Sequence, residues 1–271
     1  MRDRVLELAT LGPALLAAVV NFVLLAVVFG PLEHLLPAQR QRHFRTEWAT
    51  DLLFFVGQYL VFGVVAVAML STARQWLESL PSITGGAAFT PDNSSASLAR
   101  CAVAVLIGDL LVYWFHRACH SWPLLWRFHR VHHSSTALDW LAAHREHPVD
   151  GWLTQLCQNA PALLLGVRVE YLAGLVLFRN AWAIFIHSNV RVQLGPLRYL
   201  LGAPDLHHYH HACVEHTRHN FANLAPWLDV VFGTYHCPGA DETYRLGNPE
   251  PHARGYLLQL LEPLTRPRPR A

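Results

Sequence analysis

The sequence predicts an all-α membrane protein: several membrane-spanning helices and a cytoplasmic helical cap that holds a histidine-rich site for two metal ions. Three observations lead to this fold class. Hydrophobic residues make up 52% of the 271-residue chain, and charged residues only 15%, against roughly 25% in soluble domains. Long uncharged runs divide the chain. Fifteen of the 18 histidines fall between His116 and His236, most of them three or four residues apart.

Three apolar runs predict membrane-spanning helices, which need about 20 residues to cross a hydrocarbon core of about 30 Å. They cover residues 11–32, 52–70 and 98–115. A fourth region, residues 152–186, is interrupted around Gly166, and each of its halves is short for a full span. We expect it to form two tilted spans or a re-entrant hairpin, with both ends on the same side of the membrane.

The placement of arginines predicts the orientation. Arg40, Arg42 and Arg45 follow the first run, so this loop is expected to be cytoplasmic, and the arginine-poor loop at residues 72–97 is expected to be external. Counting spans then places every histidine cluster on the cytoplasmic side. We expect an integral protein of a bacterial inner membrane with its histidine site facing the cytoplasm.

Three regions are expected along the chain. Residues 1–97 form a transmembrane region of two spans and an external loop, residues 98–236 carry the histidines, and residues 237–271 form a C-terminal tail. The net charge is only +2, and the tail arginines are the one dense basic feature. A nucleic-acid partner is therefore not expected.

Histidine clusters predict the metal ligands. Neutral imidazole is the commonest protein ligand for Zn, Cu, Fe and Ni, and spacings of three and four place such ligands on one helix face. Three clusters show these spacings, and two single histidines extend the set. The predicted ligands are His116, His120, His129, His132, His133, His147, His187, His207, His210 and His211.

The remaining histidines and the cysteines have weaker patterns. We expect the following to support the site or lie on the surface: His144, His208, His216 and His219. Another four, His34, His43, His236 and His252, are expected at the membrane interface or in solvent. The five cysteines form no C-x-x-C pair, so a disulfide framework or zinc ribbon is not expected. Cys119 and Cys213 stand beside histidines and remain alternative ligands.

Asp109 shares a helix stripe with Tyr113, His116 and His120, within about 60° at 100° per residue. A carboxylate inside an apolar run costs roughly 2.5–3.5 kcal/mol on insertion scales and normally has a partner in the protein interior. One interpretation is a hydrogen bond between helices. The interpretation we favour from the sequence is an acceptor that orients a ligand imidazole through its other N–H.

Other metal patterns are excluded. No H-E-x-x-H of a zinc protease is present, and no Glu-x-x-His pair of a carboxylate-rich di-iron bundle. The ligand type alone does not choose iron over zinc.

Residues from about 109 to 235 resemble the fatty acid hydroxylase and sterol desaturase superfamily of membrane di-iron oxygenases. The similar segments follow the order of that superfamily's three histidine boxes, two short elements and closing signature. The boxes are DLLVYWFHRACH at 109–120, LWRFHRVHHS at 125–134 and HHYHH at 207–211; the others are REHP at 145–148, HSN at 187–189 and WLDVVFGTY at 227–235. Asp150 replaces a usual Glu, and Asn220-Phe221-Ala222 a usual N-Y-G.

The resemblance implies a membrane-bound, non-heme di-iron oxidoreductase that uses O2 to hydroxylate or desaturate an unactivated C–H position of a lipid. The lipid would be fatty acyl, sterol-like or another isoprenoid. Two Fe ions would be bound, with Zn able to replace them in isolated protein. Electrons would come from a ferredoxin- or cytochrome b5-like donor with its reductase, because the chain has no heme or dinucleotide motif. The expected supports of the ligands are Asp109, Asp150, Asn189, Asn220 and Asp229.

Two other functions remain open from the sequence. A membrane metallohydrolase would use zinc-bound water, and a histidine-rich protein could instead carry metal ions without being an enzyme. Transporters place ionisable ligands within the spans near the midplane. Here the histidine clusters fall at or beyond span ends, which disfavours transport.

Overall fold

The computed structural model describes residues 2–62, 72, 75, 94–213, 218–239, 242–250 and 252–265. The described residues are helical, with two isolated β-bridges and no sheet, so the predicted all-α class is confirmed. The helices are α1 (Arg2–Leu35), α2 (Trp48–Gly57), α3 (Ser94–Ser121), α4 (Pro123–His132), α5 (Pro148–Leu164), α6 (Val169–His187), α7 (Pro204–His210), α8 (Trp227–Val231) and α9 (Tyr256–Leu261).

Helices α1 and α3 contain the segments long and apolar enough to cross a membrane. These segments are Leu15–Leu35 and Ser97–Ser121, which match the first and third predicted runs. Apolar side chains along both are exposed; Leu24 is 58% exposed and Leu106 is 55% exposed. Such exposed apolar surface suits lipid rather than water. Together with the length of the two segments, this exposed apolar surface indicates a membrane protein.

The second predicted run is described only in its first part. Helix α2 continues into a π-helical segment, Gln58–Phe62. Residues 63–71 and most of the predicted external loop lie outside the described residues. The second span, the loop and the orientation derived from them stay predictions.

The fourth apolar region forms a helical hairpin from α5 and α6. Residues 165–168 connect the two helices, and Gly166 adopts a positive φ of 65° in this turn, a conformation that glycine adopts without steric cost. The hairpin is common to both sequence expectations. Arg179 of α6 donates to Val105 O of α3 at 2.8 Å and so fixes the hairpin against α3.

Gly108 permits this close packing of α3 on the hairpin. A Cβ at this position would lie 2.7 Å from Gln158 O and 2.8 Å from Arg179 Nη1. We expect Gly108→Ala to destabilise the protein by about 1–3 kcal/mol, the usual range for overpacking. Thermal unfolding in detergent measures the change. Gly174→Ala is the matched control, because a Cβ there meets nothing within 4 Å; equal destabilisation by both variants would contradict the packing argument.

The C-terminal segment folds back on α2 and α4. The rings of Phe54 and Tyr256 meet edge to face at 4.8 Å, and Arg127 of α4 donates to the carbonyls of Pro263 and Thr265. This segment therefore packs against the helix that carries the second histidine cluster.

Candidate metal centre

Nine of the ten predicted ligands form two groups. The ring nitrogens within each group lie within 4.8 Å of one another. The first histidine group comprises His116, His120, His129, His133 and His210. The second histidine group comprises His132, His187, His207 and His211. The two groups meet where the rings of His133 and His211 stack at 4.3 Å.

Helical spacing explains how the chain fills both groups. His116 and His120 lie one turn apart on α3 and join the first group together. At the end of α4, His129 and His133 are four residues apart and share the first group, whereas His132 joins the second. Both α4 and α7 begin with proline in the first turn, where its missing N–H costs no helical hydrogen bond.

In the first group, ring nitrogens face each other without a hydrogen-bonding proton between them. His116 Nδ1 lies 2.8 Å from Phe221 O, and His129 Nδ1 lies 2.8 Å from an Asp150 oxygen. Because both partners are acceptors, we assign the proton of each neutral ring to Nδ1, which leaves a lone pair on Nε2. The two Nε2 atoms are nevertheless 3.1 Å apart. Two lone pairs at this distance repel unless a cation lies between them.

The second group shows the same arrangement. His132 Nδ1 donates to Arg145 O at 3.0 Å, and His187 Nδ1 donates to Ala183 O at 2.6 Å. Their Nε2 atoms, both left with lone pairs, are 3.0 Å apart. Two imidazole nitrogens about 2.1 Å from one ion and at right angles would lie about 3.0 Å apart. The residues therefore fit a metal ion in each group.

Several further ring nitrogens are buried without a hydrogen-bond partner among the described residues. In the first group they are His120 Nε2 and His210 Nε2. In the second group they are the Nδ1 atoms of His207 and His211, whose Nε2 atoms face the group. Unpaired buried polar atoms are rare and call for a bound ligand or ion. His210 Nδ1 donates to His219 O at 2.8 Å, so its orphaned Nε2 carries a lone pair as well.

Burial keeps these rings neutral. Desolvation lowers the pKa of His132 to about 4, and it lowers the pKa values of His133, His207 and His210 well below their usual value. Neighbouring imidazoles add to the effect. A neutral imidazole is the form that binds a metal ion.

These shifts predict acid sensitivity of the metal-free fold. In the unfolded chain His132 binds a proton near its ordinary pKa of 6.5, and in the folded chain only near 4. Between these values the unfolded state binds more protons, so stability falls as pH falls from 6.5 to 4. We expect the thermal unfolding temperature of metal-free protein to drop steadily across this window. A flat or rising profile would show that the rings are not buried as neutral groups.

Asp150 supports the first group from α5. It accepts from His129 Nδ1, and Cys119 Sγ lies 3.7 Å from its other oxygen. Burial alone would raise the pKa of Asp150, but its contacts with His129, His132 and Cys119 together outweigh burial and hold the pKa below its usual value. An ionised carboxylate on the far nitrogen raises the basicity of a ligand imidazole. Cys119 is thus placed on the carboxylate, beside His129 and outside both histidine groups.

Asp229 supports the first group indirectly, through the backbone of the loop that contacts His116. Its carboxylate accepts from Phe221 N at 2.8 Å, Ala222 N at 2.9 Å and Thr234 Oγ1 at 2.7 Å. These bonds fix the backbone whose carbonyl, Phe221 O, accepts from His116. Burial nevertheless raises the pKa of Asp229 to about 6.

Asn220 holds the same loop in a left-handed conformation, with φ of 57°. Its side-chain amide donates to Leu206 O at 2.9 Å and His236 O at 2.7 Å, and its oxygen accepts from His236 N at 2.8 Å. Asparagine tolerates this backbone region better than most residues. The residue therefore ties the loop to α7, which carries the third histidine cluster.

A buried ion-pair network supports the second group. Arg145, whose carbonyl accepts from His132, is fully buried and pairs with Asp51 and Glu47. Arg45 donates to both oxygens of Asp139, at 2.8 and 2.7 Å, and also contacts Asp51. These bonds join the segment around α2 to the segment that presents Arg145 O.

The comparisons with known proteins agree with this geometry. A family model described as fatty acid hydroxylase matches residues 101–234. Ornithine lipid hydroxylase OlsE of Rhizobium tropici is 29% identical over 188 residues, 69% of this chain and 56% of that protein. Alkylglycerol monooxygenase of Danio rerio is 32% identical over 152 residues, 54% of this chain and 33% of that protein.

A sterol-modifying relative also matches. Delta(7)-sterol 5(6)-desaturase erg3B of Aspergillus fumigatus is 26% identical over 133 residues, 49% of this chain and 38% of that protein. Residues 101–234 of this chain belong to the fatty acid hydroxylase and sterol desaturase superfamily. The chain spans between about a third and just over half of the length of these relatives. No solved structure matches it.

His147, the tenth predicted metal ligand, lies outside both histidine groups. Its Nδ1 accepts from Val149 N at 3.1 Å as the N-cap of α5, and its Nε2 lies 3.2 Å from Leu260 O. Both ring nitrogens are occupied, so the structure gives His147 a capping role in place of the predicted one. The REHP pattern contains a histidine, but histidine type alone does not separate a cap from a ligand.

The role predicted for Asp109 is also corrected by the structure. The sequence interpretation gave its carboxylate to a ligand imidazole, but Asp109 Oδ1 pairs with Arg179 Nη2 at 2.9 Å. The neighbouring His116 already donates its Nδ1 proton to Phe221 O. Helical spacing predicted the face of α3 correctly, but not the cation that α6 presents to it. The alternative of a contact between helices is the one the structure shows.

Asn189 connects elements instead of contacting a ligand ring. It exchanges side-chain hydrogen bonds of 2.8 Å with the backbone of Gln39, and its N–H donates to Glu33 at 3.0 Å. These bonds tie the end of α1 to the chain two residues after His187. The predicted support of the ligand is therefore indirect, through the backbone.

The other histidines divide between packing and surface. His144 and His208 are buried, with ring nitrogens at 2.9 Å from Gln58 Oε1 and 3.1 Å from Ser188 O. His219 supplies the carbonyl that accepts from His210. His216 lies outside the described residues.

Sequence reasoning missed the main-chain acceptors of the ligand rings. They are the carbonyls of Phe221, Arg145, Ala183 and His219. No sequence signal could have found them, because every residue carries a carbonyl group.

A cavity of about 460 Å³ reaches the metal centre. Its wall includes His116, His129 and His132, together with residues of the hairpin such as Trp152 and Val176. Its size is within the usual range of roughly 300–1,000 Å³ for small-molecule sites. A ligand in this cavity would contact residues of both histidine groups.

Proposed function

We propose that this chain is a di-iron oxidoreductase that uses O2 to hydroxylate or desaturate an unactivated C–H position of a membrane lipid. The observation that carries the proposal is the pair of histidine groups whose lone pairs converge at the wall of one cavity. The names of the relatives support it, since they are an ornithine lipid hydroxylase, an alkylglycerol monooxygenase and a sterol desaturase.

The nine histidines of the two groups are the proposed ligands, and His147 is left out. Zinc in proteins is almost always four-coordinate, whereas the first group offers five imidazoles. This number favours an ion that accepts more ligands in the first group. The second group offers four imidazoles, and we assign iron to it because the proposed O2 chemistry uses both ions. Bound iron supplies oxidising power toward an aliphatic C–H bond, which acid–base side chains lack.

The chain's own residues bind the hydrocarbon chain, position the ligand rings and shield those rings from water. The cavity offers apolar walls such as Val112, Phe115 and Val176 to a hydrocarbon chain. Asp150, Phe221 O and Arg145 O hold the ligand rings in one orientation and fix their tautomers. His210 and His211 are fully buried, so water has little access to the ligand rings.

We extend the proposal to the organisation of the protein. Residues 98–236 form the oxygenase domain, residues 1–97 its membrane anchor and residues 237–271 a tail. The site faces the cytoplasm of a bacterial inner membrane, where a ferredoxin- or cytochrome b5-like donor with its reductase supplies two electrons. The lipid is fatty acyl, sterol-like or another isoprenoid, and enters from the membrane.

The test follows the fate of oxygen atoms. Membranes from cells that express the chain are supplied with reductant and isotopically labelled O2, and the extracted lipids are analysed by mass spectrometry. A hydroxylase incorporates one labelled oxygen atom into a lipid, and a desaturase removes two hydrogen atoms from it in an O2-dependent manner. Lipid cleavage without O2 would instead support a zinc hydrolase, and no lipid product with full iron loading would overturn the proposal.

A further inference from the structure

Helix α9 (Tyr256–Leu261) is inverted relative to a helix that faces water. Its one polar residue, Gln259, is only 1% exposed, and the side-chain amide donates to Ala253 O at 3.1 Å. Leu257, by contrast, is 69% exposed. Three further leucines of this segment are also exposed: Leu258, Leu261 and Leu264. Because a surface helix in water normally turns its apolar residues inward, the exposed side of α9 suits an apolar surrounding.

The exposed leucines of α9 lie on one side of the helix. At about 100° per residue, Leu258 and Leu261 lie about 100° and 40° from Leu257. Gln259 lies about 200° from Leu257, and on its side of the helix the ring of Tyr256 packs against α2. One side of α9 is therefore bound to the protein, and the leucine side has no covering element in the described part of the chain.

The position of this segment relative to α3 places the leucines near a membrane boundary. The candidate span of α3 ends at Ser121, and the next residue, Trp122, is 64% exposed. Tryptophan is enriched where membrane spans meet the lipid headgroups. In the second turn of α4, Arg127 donates to the carbonyls of Pro263 and Thr265. The end of the segment therefore lies close to the point where α3 leaves its apolar run.

The charge of the segment is positive. Arg254 is exposed just before α9. Three further arginines follow the described residues in the sequence: Arg266, Arg268 and Arg270. The one acidic residue of the range 252–271 is Glu262, which accepts from Ala253 N at 2.9 Å and lies 3.7 Å from Arg130. Basic residues beside an apolar helix face favour a surface of anionic lipid headgroups.

We propose that residues 254–271 form an interfacial anchor, in which α9 lies along the membrane surface with its leucines among the acyl chains and the arginines bind anionic headgroups. A second copy of this chain is the other occupant that would suit an apolar face. A two-fold symmetric contact would bring the basic segments of both copies to one interface, where they repel each other. The charge therefore favours the lipid surface. This inference goes beyond the proposed function and does not depend on the chemistry of the metal centre.

Photocrosslinking of the full chain in nanodiscs tests the proposal. The photoreactive residue is introduced as Leu257→p-benzoylphenylalanine, and adducts are identified by mass spectrometry in two bilayers: phosphatidylcholine alone, and equal parts of phosphatidylcholine and phosphatidylglycerol. We expect phospholipid adducts in both bilayers. In the mixed bilayer, phosphatidylglycerol adducts should exceed phosphatidylcholine adducts at least about threefold, because arginines near a membrane surface attract anionic lipids.

Variants of the tail separate charge from apolar contact. The triple variant Arg266→Gln, Arg268→Gln, Arg270→Gln should keep the phospholipid adducts and bring the ratio of the two lipids to within about twofold of one. Arg168→Gln is the matched control, since it removes an exposed arginine that pairs with Glu170 on α6, and it should retain the ratio of the wild type.

The control for position is Thr243→p-benzoylphenylalanine, at an exposed loop residue, which should give few phospholipid adducts. If the Leu257 variant does not accumulate, the same replacement at Leu261 takes its place. Crosslinks between two copies, no phospholipid adduct at α9, or equal yields at α9 and Thr243 would overturn the interfacial position. A lipid ratio of one in the wild type, or a ratio unchanged in the triple variant, would overturn the anionic partner.

Discussion

We expect the replacement of His132 or His210 with alanine to abolish the proposed lipid oxidation and to leave membrane insertion intact. Each histidine belongs to a different group, and each is buried with its Nε2 facing the ligand nitrogens of that group. The loss of one imidazole removes a ligand that no neighbouring side chain replaces. Both residues lie outside the candidate spans, so insertion should not depend on them. The measurements are O2-dependent product formation and the amount of protein in washed membranes.

His252→Ala is the matched control. His252 lies far along the chain from the histidine clusters, and its Nδ1 makes a long contact of 3.4 Å with Glu250 O. We expect near wild-type activity. Equal losses of activity for His252→Ala and His132→Ala would show that the boundary of the metal centre is wrong.

We expect the replacement of Asp150 to weaken metal binding and the proposed activity by roughly 10–100-fold, the usual cost of losing a hydrogen-bond partner of a ligand imidazole. In Asp150→Asn the side-chain oxygen still accepts from His129 Nδ1, but the negative charge that raises the basicity of the ring is gone. In Asp150→Leu the Nδ1 proton is buried without an acceptor, and the loss should be larger. Competition with a chelator measures the affinity.

The control for charge alone is Glu250→Gln. Glu250 is a partly exposed carboxylate near Arg130, with an N–O distance of 3.6 Å, and it does not contact a ligand ring. Its replacement should leave metal affinity unchanged. If Asp150→Leu binds metal as tightly as the wild type, Asp150 does not support the centre.

Much of the fold and of the ligand set follows from the sequence because both depend on periodicity. Apolar runs predicted α1 and α3, and the spacing of four correctly placed His129 and His133 together. The expectation that the spacing of three adds His132 to the same set was wrong. The same helical geometry explains why His132 joins the other group, since it is rotated by about 100° from its neighbour His133. These are local properties, and the sequence expresses them directly.

What the sequence could not predict depends on contacts between distant segments. Asp109 was placed on the correct helix face, but its partner Arg179 lies 70 residues away. His147 has the residue type of a ligand, yet the geometry of α5 makes it a helix cap. Carbonyls such as Phe221 O accept from the ligand rings only after the loop that Asp229 and Asn220 hold has folded. Spacing along one helix carries no information about these partners.

We propose that the two histidine groups hold two iron ions in one chain. Elemental analysis of purified protein, stripped of metal and reloaded anaerobically with ferrous iron, tests it most directly; iron loading is needed because zinc competes well for imidazole sites. We expect two iron ions per chain, one for each group, and fewer in both His132→Ala and His210→Ala. No bound iron, or a single ion per chain after full reconstitution, would contradict it.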